Sequence, residues 1–141
     1  MKKKYIGGFS LIELLVVVAI IGTLASVGIY SYNGYISSTK KTAAKNSMQQ
    51  ISLAQQEYYS INGEYVTTVT GNCGVPAGSS TINSDLFDTV GDEKNIDVDG
   101  WEFCIEDHAT GYKITACAIK DAACDGDPYT LNAKGSNNFN D

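Results

Sequence analysis

A long apolar segment near the amino terminus constrains this chain more than any other feature. Residues 9–30 include a single charged side chain, Glu13, and three lysines precede them at positions 2–4. As a helix rising 1.5 Å per residue, the segment would extend roughly 33 Å, enough to cross a bilayer core. The basic flank favours a cytoplasmic amino terminus and export of the residues on the carboxyl side. Because no clear small-residue cleavage site comes after the segment, we expect it to be kept as a membrane helix.

The rest of the chain is short. About 110 of the 141 residues remain to form a water-soluble body, which is room for one small domain. That length excludes a barrel of eight βα units, which needs roughly 250 residues. With 43% hydrophobic and 18% charged residues, the composition is that of a folded chain rather than a disordered one.

The charge of this body is strongly negative. From Asn46 onward four lysines face 15 acidic residues, a formal charge of −11, and the chain contains no arginine. Nucleic-acid backbones are bound through lysine and arginine. The charge therefore argues against direct nucleic-acid binding.

The segment after residue 30 has the periodicity of an amphipathic helix. Apolar and large residues recur at steps of three or four, whereas Leu53 lies on the opposite side as a mismatch. The sequence Ile61-Asn62-Gly63 is typical of a helix end. The stripe consists of Ala44, Met48, Ile51, Gln55 and Tyr58, broadened by Ala54 and Ile61.

The remainder predicts a small sheet on that helix. Residues 62–100 are rich in small polar side chains and indicate an irregular loop, with one short helix around residues 85–90. Three strands come next, the first two joined as a hairpin through residues 108–111. The fold class is therefore α+β, a long amino-terminal helix packed on an antiparallel sheet of three or four strands. The strands are expected at 100–105, 112–119 and 129–133.

Four cysteines, all after the apolar segment, predict two disulfides. An even number of cysteines in an exported domain favours this over free thiols, and zinc would need closer pairs than Cys117 and Cys124. That pair would close the loop between the last two strands, and Cys73 with Cys104 would then tie the long loop to the sheet. Three connectivities are possible, and the spacing favours this one.

No catalytic chemistry stands out in the sequence. The single histidine, His108, falls in a predicted turn, and no nucleophile, phosphate-loop or zinc-protease motif is present. We expect no enzyme activity, no cofactor and no metal. Weak calcium candidates are the aspartates of two turn-like sequences, Asp97, Asp99, Asp125 and Asp127, although neither sequence completes a calcium loop.

The junction before the apolar segment is suited to proteolysis. It reads GGFSLIE over residues 7–13, and the two glycines offer a peptidase a backbone without side chains. Cleavage after Gly8 would create an α-amine on Phe9, four residues before Glu13. A carboxylate in an apolar segment costs on the order of 2.5–3.5 kcal/mol, so Glu13 either reaches the headgroups or requires a cationic partner.

Residues 8–22, GFSLIELLVVVAIIG, resemble the amino-terminal signature of type IV pilins and the related pseudopilins of type II secretion. The resemblance implies that a prepilin peptidase cuts after Gly8 and methylates Phe9, and that Glu13 docks each subunit against the amine of a neighbour. The strand sequences around the last two cysteines also resemble pilin heads. One departure is Tyr30, which replaces the family's usual proline and leaves unwinding of the preceding helix an open question.

The resemblance also implies an organisation and a function. Residues 1–8 would be a leader, 9–30 a membrane and polymerisation helix, 31–61 its amphipathic half, and 62–141 a globular head. The expected function is a structural subunit of a type IV pilus-like filament, with adhesion, twitching motility or DNA uptake as roles known in the family. Its partners would be copies of itself, the prepilin peptidase and an inner-membrane assembly machinery. It would reside in the inner membrane with a periplasmic head, and then in a filament at the cell surface.

Two alternatives remain open. A pseudopilin of a type II secretion system would carry the same amino-terminal signature, but major pseudopilins usually have a calcium-binding loop in place of disulfides. A membrane-anchored binding domain that never polymerises would need neither the Gly8-Phe9 junction nor Glu13 in the span.

Overall fold

A computed structural model describes residues 8–69, 73, 78–89 and 94–139, apart from the side chains of Tyr30 and Asn33. The chain divides into two compact units, one ending at Thr39 and the other beginning at Lys40. The elements in chain order are helices α1 (Leu11–Asn62) and α2 (Ser79–Phe87) and strands β1 (Trp101–His108), β2 (Gly111–Lys120), β3 (Ala123–Cys124) and β4 (Tyr129–Asn132).

Helix α1 begins and ends where the sequence predicts. It remains helical at residues 22–30, a stretch without the proline that would remove a backbone donor. At its other end Gly63 has a φ of 77° and its N–H donates to the Tyr59 carbonyl at 2.9 Å. A residue in this left-handed conformation satisfies a terminal carbonyl and stops the helix, which is why a glycine is suited to the position.

The core of the second unit lies between α1 and one face of the sheet. Side chains alternate between the two faces of a strand, and residues paired across two strands share a face. Phe103 and Ile105 of β1 therefore point to the same face as their partners Ala116 and Ile114 of β2. All of the following are buried: Ala44, Met48, Ile51 and Gln55 of α1, Phe103 and Ile105 of β1, Tyr112, Ile114 and Ala116 of β2, and Leu131 of β4. The predicted α+β class, with its helix stripe packed on an antiparallel sheet, is confirmed.

One member of the predicted stripe was assigned wrongly. Ile61 was expected to broaden the buried face, but its side chain is 75% exposed. It lies in the last turn of α1, whereas the last buried residue of the helix is Gln55. Leu53 is exposed, as its place on the opposite side of the helix predicted.

The sheet is antiparallel and organised around β2. The β1–β2 hairpin pairs His108 with Gly111 across a two-residue loop, and β4 pairs with β2 over residues 113–116. The short strand β3 pairs with the end of β2. All three predicted strands are present, with β1 and β2 longer than expected and β4 one residue shorter.

The outer edge of β1 is covered by the loop that precedes it. Thr68 donates to the carbonyl of Ile105 and accepts a hydrogen bond from its N–H. The N–H of Gly78 donates to the Phe103 carbonyl at 2.8 Å. The Ser79 hydroxyl accepts from the Phe103 N–H at 3.1 Å. Because these groups occupy the free donors and acceptors of an edge strand, β1 is protected from pairing with another chain.

The short helix in this loop is displaced from its predicted position. It was expected around residues 85–90, whereas α2 covers Ser79–Phe87, and Val90 lies outside the described residues. The buried amide of Asn83 explains the placement. Its nitrogen donates to the Ile96 carbonyl and its oxygen accepts from the N–H groups of Asn95 and Ile96, all at 2.8–2.9 Å.

Both disulfides join the predicted partners. Cys73 is bonded to Cys104 of β1, and Cys117 of β2 to Cys124 of β3. Near the first disulfide, the buried carboxylate of Glu106 accepts the Cys73 N–H and forms an ion pair with Lys113. The long loop is therefore attached to β1 by a covalent bond and by a charge-assisted hydrogen bond.

The turn between β2 and β3 contains a backbone conformation that alanine adopts poorly. Asp121 and Ala122 have φ values of 51° and 61° between the paired residues Lys120 and Ala123. The left-handed conformation costs an L-residue roughly 1–2 kcal/mol, and glycine avoids this cost. Glycine also makes the unfolded chain more flexible, which cancels part of the gain in stability. We expect Ala122→Gly to raise the free energy of unfolding by about 0.5–1 kcal/mol.

The measurement is urea unfolding of the full-length chain in detergent micelles, monitored by the fluorescence of Trp101. The matched control is Ala123→Gly, at a neighbouring position without a positive φ, which should be neutral or destabilising. Equal or lower stability of Ala122→Gly would contradict the interpretation of the turn.

Candidate assembly site

The amino terminus of α1 is closed by a reciprocal cap. Ser10 precedes the first helical residue, and its backbone N–H and hydroxyl both donate to Oε2 of Glu13, at 2.8 and 2.7 Å. The Glu13 N–H returns a hydrogen bond to the Ser10 hydroxyl at 3.3 Å. This is a capping box, in which a serine and a glutamate three residues later satisfy each other's backbone donors. Glu13 therefore has a partner within its own chain.

The role of Ser10 was missed at the level of sequence. The spacing Ser-x-x-Glu before an apolar run is itself the signal for a capping box, so the four residues Ser10 to Glu13 contained it. The partners predicted for Glu13 were the headgroups or a cation. The structure shows a third arrangement for its carboxylate.

The residues around the predicted cleavage site are accessible. Gly8 is exposed, and apart from its chain neighbours no atom of the described residues lies within 4 Å of where a Cβ at this position would be. Phe9 is 89% exposed. Residues 1–7, which include the three leader lysines, lie outside the described residues.

The surface of the helix beyond this cap is apolar and uncovered. Leucine, isoleucine and valine side chains from Leu11 to Ile29 are between about half and five-sixths exposed. In the described part of the chain, α1 is the one helix long and apolar enough to cross a membrane, judged by length and composition. An apolar surface of this extent indicates contact with lipid or with another protein.

The calcium candidates have other surroundings. Lys40 of α1 donates to Oδ2 of Asp99 at 2.6 Å, and this hydrogen bond and charge lower the pKa of Asp99 below its usual value. Asp97 lies 4.0 Å from Lys94. Among the described residues, no three His, Cys, Asp or Glu side chains, including Asp125 and Asp127, come together in an arrangement that could hold a metal ion.

The lone histidine sits in the hairpin turn, as expected. His108 is exposed, and its Nδ1 lies 2.9 Å from the Thr110 hydroxyl and 3.3 Å from the Thr110 nitrogen. These are local turn contacts.

These features define a class of protein in which an exposed apolar helix with a capped start precedes a disulfide-bonded α+β head. Two family comparisons agree with that class. The family described as "Type IV minor pilin ComP, DNA uptake sequence receptor" matches residues 31–140, and the "Prokaryotic N-terminal methylation motif" matches residues 3–29. Because the first match covers more than half of the chain, the chain belongs to the type IV pilin family.

Individual relatives are similar over different lengths. The type IV major pilin protein PilA of Myxococcus xanthus (strain DK1622) is 38% identical over 58 residues, 41% of this chain and 26% of PilA. The chain thus spans about a quarter of that relative. A probable minor fimbrial protein of Dichelobacter nodosus is 33% identical over 60% of this chain and 52% of its own. A fimbrial protein of Pseudomonas aeruginosa is 32% identical over 82% and 74%, respectively. No solved structure gives a significant match.

The capping box leads to a prediction about the start of α1. Removing the hydroxyl in Ser10→Ala should destabilise the first turn by about 1 kcal/mol, the usual cost of losing such a cap. Amide exchange at residues 13 and 14, whose N–H groups donate to Ser10, should then be about fivefold faster, since exchange at a fraying helix end reports local opening. Mass-spectrometric hydrogen exchange in micelles provides the measurement. Ser10→Thr, which keeps the hydroxyl, is the matched control, and equal exchange in both variants would show that the cap is not formed.

Proposed function

We propose that this chain is a minor structural subunit of a type IV pilus-like filament on a bacterial cell surface. The uncovered apolar surface of α1 from Leu11 to Ile29 carries the proposal, because it needs a partner surface outside the chain. The methylation motif over residues 3–29 supports the same assignment. The function is assembly rather than catalysis.

Processing by a prepilin peptidase is the first step of the proposal. Cleavage after Gly8 removes the leader and its lysines and leaves a chain of 133 residues that begins with Phe9. The open surroundings of Gly8 and Phe9 are compatible with entry of the backbone into a protease site. Methylation of the new amine keeps its positive charge.

Blocking this step gives the first test. A Cβ at Gly8 has open space around it, so Gly8→Val should disturb the chain itself little and a loss of processing would point to the peptidase. The variant should accumulate at full length in the membrane, as judged by intact mass and amino-terminal sequencing. Gly8→Ala, which adds a single methyl group, serves as the milder control. Chains of Gly8→Val that begin at Phe9 would contradict the proposed processing.

The second step concerns the carboxylate of Glu13. In the single chain it accepts two hydrogen bonds from Ser10. A carboxylate has acceptor sites left after two such bonds, so it can also receive the amine of a neighbouring subunit's Phe9. An ion pair gains strength in an apolar, low-dielectric surrounding, although desolvation cancels much of that gain. We infer that this pair sets the axial position of each incoming subunit.

Replacing the carboxylate separates insertion from assembly. Glu13→Val should insert into the membrane as well as or better than the original chain, because a charge leaves the apolar segment. It should be processed normally, yet filament yield should fall by at least about tenfold, corresponding to about 1.4 kcal/mol or more for one charged contact. Shearing and electron microscopy measure the yield. Leu14→Val is the control for a change of size alone, and abundant filaments from Glu13→Val would contradict the pairing.

The proposed location rests on the same features. Subunits would wait in the inner membrane with the amino terminus in the cytoplasm and the head in the periplasm, as the leader lysines favour. An inner-membrane assembly machinery would then transfer them into a filament at the cell surface. Two disulfides in the head are consistent with an oxidising compartment, and they favour a pilus subunit over a calcium-dependent pseudopilin.

The description of the matching family makes DNA a second ligand to test. The structure supports the opposite expectation for this head. Three lysines of the second unit lie beside carboxylates: Lys40 beside Asp99, Lys94 beside Asp97, and Lys113 beside Glu106. A formal charge of −11 after Asn46 would further repel phosphates.

We therefore expect the full-length chain in detergent to bind duplex DNA no more tightly than about 10⁻⁴ M at physiological salt, the weak limit of non-specific binding. Fluorescence anisotropy with labelled duplexes at about 50 and 200 mM salt measures this. A micromolar complex that weakens steeply with salt would contradict this expectation and show that the subunit binds DNA directly.

A further inference from the structure

A cavity of about 400 Å³ with both polar and apolar walls lies in the head, and none of its lining residues belongs to the assembly site. Its walls come from three places: the exposed side of α2, residues 94–97 of the following loop, and Trp101 and Glu102 at the start of β1. The volume falls in the range of small-molecule sites. Nothing in the assembly mechanism makes use of it.

The walls of the cavity are held in place by their own hydrogen bonds. The Ser79 hydroxyl donates to Oε2 of Glu102 at 2.6 Å, and Thr89 donates to the Asn83 carbonyl at 2.6 Å. The Asn83 amide, which also lines the cavity, joins α2 to residues 95 and 96. A ligand would meet side chains that are already positioned, which lowers the entropy cost of binding.

One aromatic ring forms part of the lining. Trp101 lines the cavity and also stacks on Tyr129, with ring centroids 5.5 Å apart and planes 10° from parallel. Tyr129 in turn packs edge-on against Phe139, and Lys45 lies 5.1 Å from the Tyr129 centroid. The Trp101 ring is therefore held in position by its stacking on Tyr129.

The chemistry of the lining limits the class of ligand. Hydroxyls, an amide, one lysine and two carboxylates line the cavity beside Ile96 and Trp101, a mixture that suits a ligand with both polar and apolar surface. The two carboxylates, Asp97 and Glu102, outnumber Lys94 and disfavour an anionic ligand. A carboxylate accepts hydrogen bonds from the hydroxyls of a ligand, and the face of an aromatic ring packs on the C–H groups of a sugar ring.

We propose that this cavity binds a neutral pyranose sugar. Trp101 packs on the C–H face of the sugar ring, whereas Asp97 and Glu102 accept hydrogen bonds from its hydroxyls. Lys94 donates to a hydroxyl or ring oxygen from the rim. The proposal does not depend on filament assembly, because every group it uses lies in the head.

The unique tryptophan makes the proposal directly measurable. The full-length chain in detergent micelles is titrated with methyl glycosides of neutral hexoses and N-acetylhexosamines, and Trp101 fluorescence is recorded. We expect a saturable change with at least one of them and a Kd on the order of 1 mM, typical of a ligand with about a dozen heavy atoms. Glucosamine and N-acetylneuraminic acid are the cationic and anionic comparisons.

Substitutions of the lining residues test whether the sugar binds in this cavity. Glu102→Gln retains an oxygen acceptor for Ser79, and Asp97 is exposed, so Glu102→Gln and Asp97→Asn should both fold. Each should weaken binding by about tenfold, the loss of one charge-assisted hydrogen bond. Asp107→Asn, an exposed position on the same strand outside the cavity, is the matched control and should bind normally. Trp101→Phe, read by saturation-transfer NMR, should bind more weakly because the ring surface is smaller.

Three results would overturn the proposal. The first is the absence of a saturable response to any neutral glycoside up to about 50 mM, roughly fiftyfold above the expected Kd. The second is unchanged affinity in both Glu102→Gln and Asp97→Asn, which would place the sugar elsewhere. The third is tighter binding of glucosamine or N-acetylneuraminic acid than of the neutral sugars, which would assign a charged ligand to the cavity.

Discussion

The packing of one face of α1 on the sheet is the interaction that the rest of the head depends on. Ala44, Met48 and Ile51 are fully buried, and two polar contacts fix how the helix lies on the strands. The buried Gln55 amide holds both backbone groups of Val66, at 2.6 and 3.0 Å. The Tyr112 hydroxyl lies 2.8 Å from that of Ser52, and burial raises the pKa of Tyr112 above its ordinary value. Losing either hydrogen bond of the Gln55 side chain would leave a backbone group of Val66 without a partner in the core, so the position of the helix on the sheet is tightly specified.

The same helix satisfies opposite requirements along its length. Near Ala44 its apolar stripe is narrow, because solvent reaches the other side. From Leu11 to Ile29 it is apolar on all sides, and no residue of the described chain covers it there. A helix that is apolar all round is stable only in lipid or in a protein interior. The requirement for an external partner is therefore built into the sequence of α1, independently of what the head does.

The sequence predicted the features that arise from periodicity and missed those that arise from tertiary contacts. The α1 stripe, the hairpin and the ends of α1 rest on local patterns and are present. The α2 helix, SSTINSDLF, has weak helix propensity, and the contacts of Asn83 with residues 95 and 96 decide its position, which no local pattern reveals. Ile61 has the right spacing but lies in the exposed last turn of α1. The Gln55–Val66 contact joins residues that no local pattern connects, whereas the Ser10–Glu13 cap has the local pattern Ser-x-x-Glu.

The attachment of the 63–100 loop explains how one architecture can support different head surfaces. The loop is attached to β1 by the Cys73–Cys104 disulfide, by Glu106, and by the backbone contacts of Thr68 and Gly78. These contacts involve β1 backbone atoms and buried side chains, so they leave the outward-facing residues of α2 free to change. The cavity lies on that outward side, and the proposed assembly contacts use residues of the first unit. Substitutions of Asp97 or Lys94 in the proposed sugar site would therefore leave Glu13 unaltered, so the proposed binding site and the proposed assembly surface can change independently.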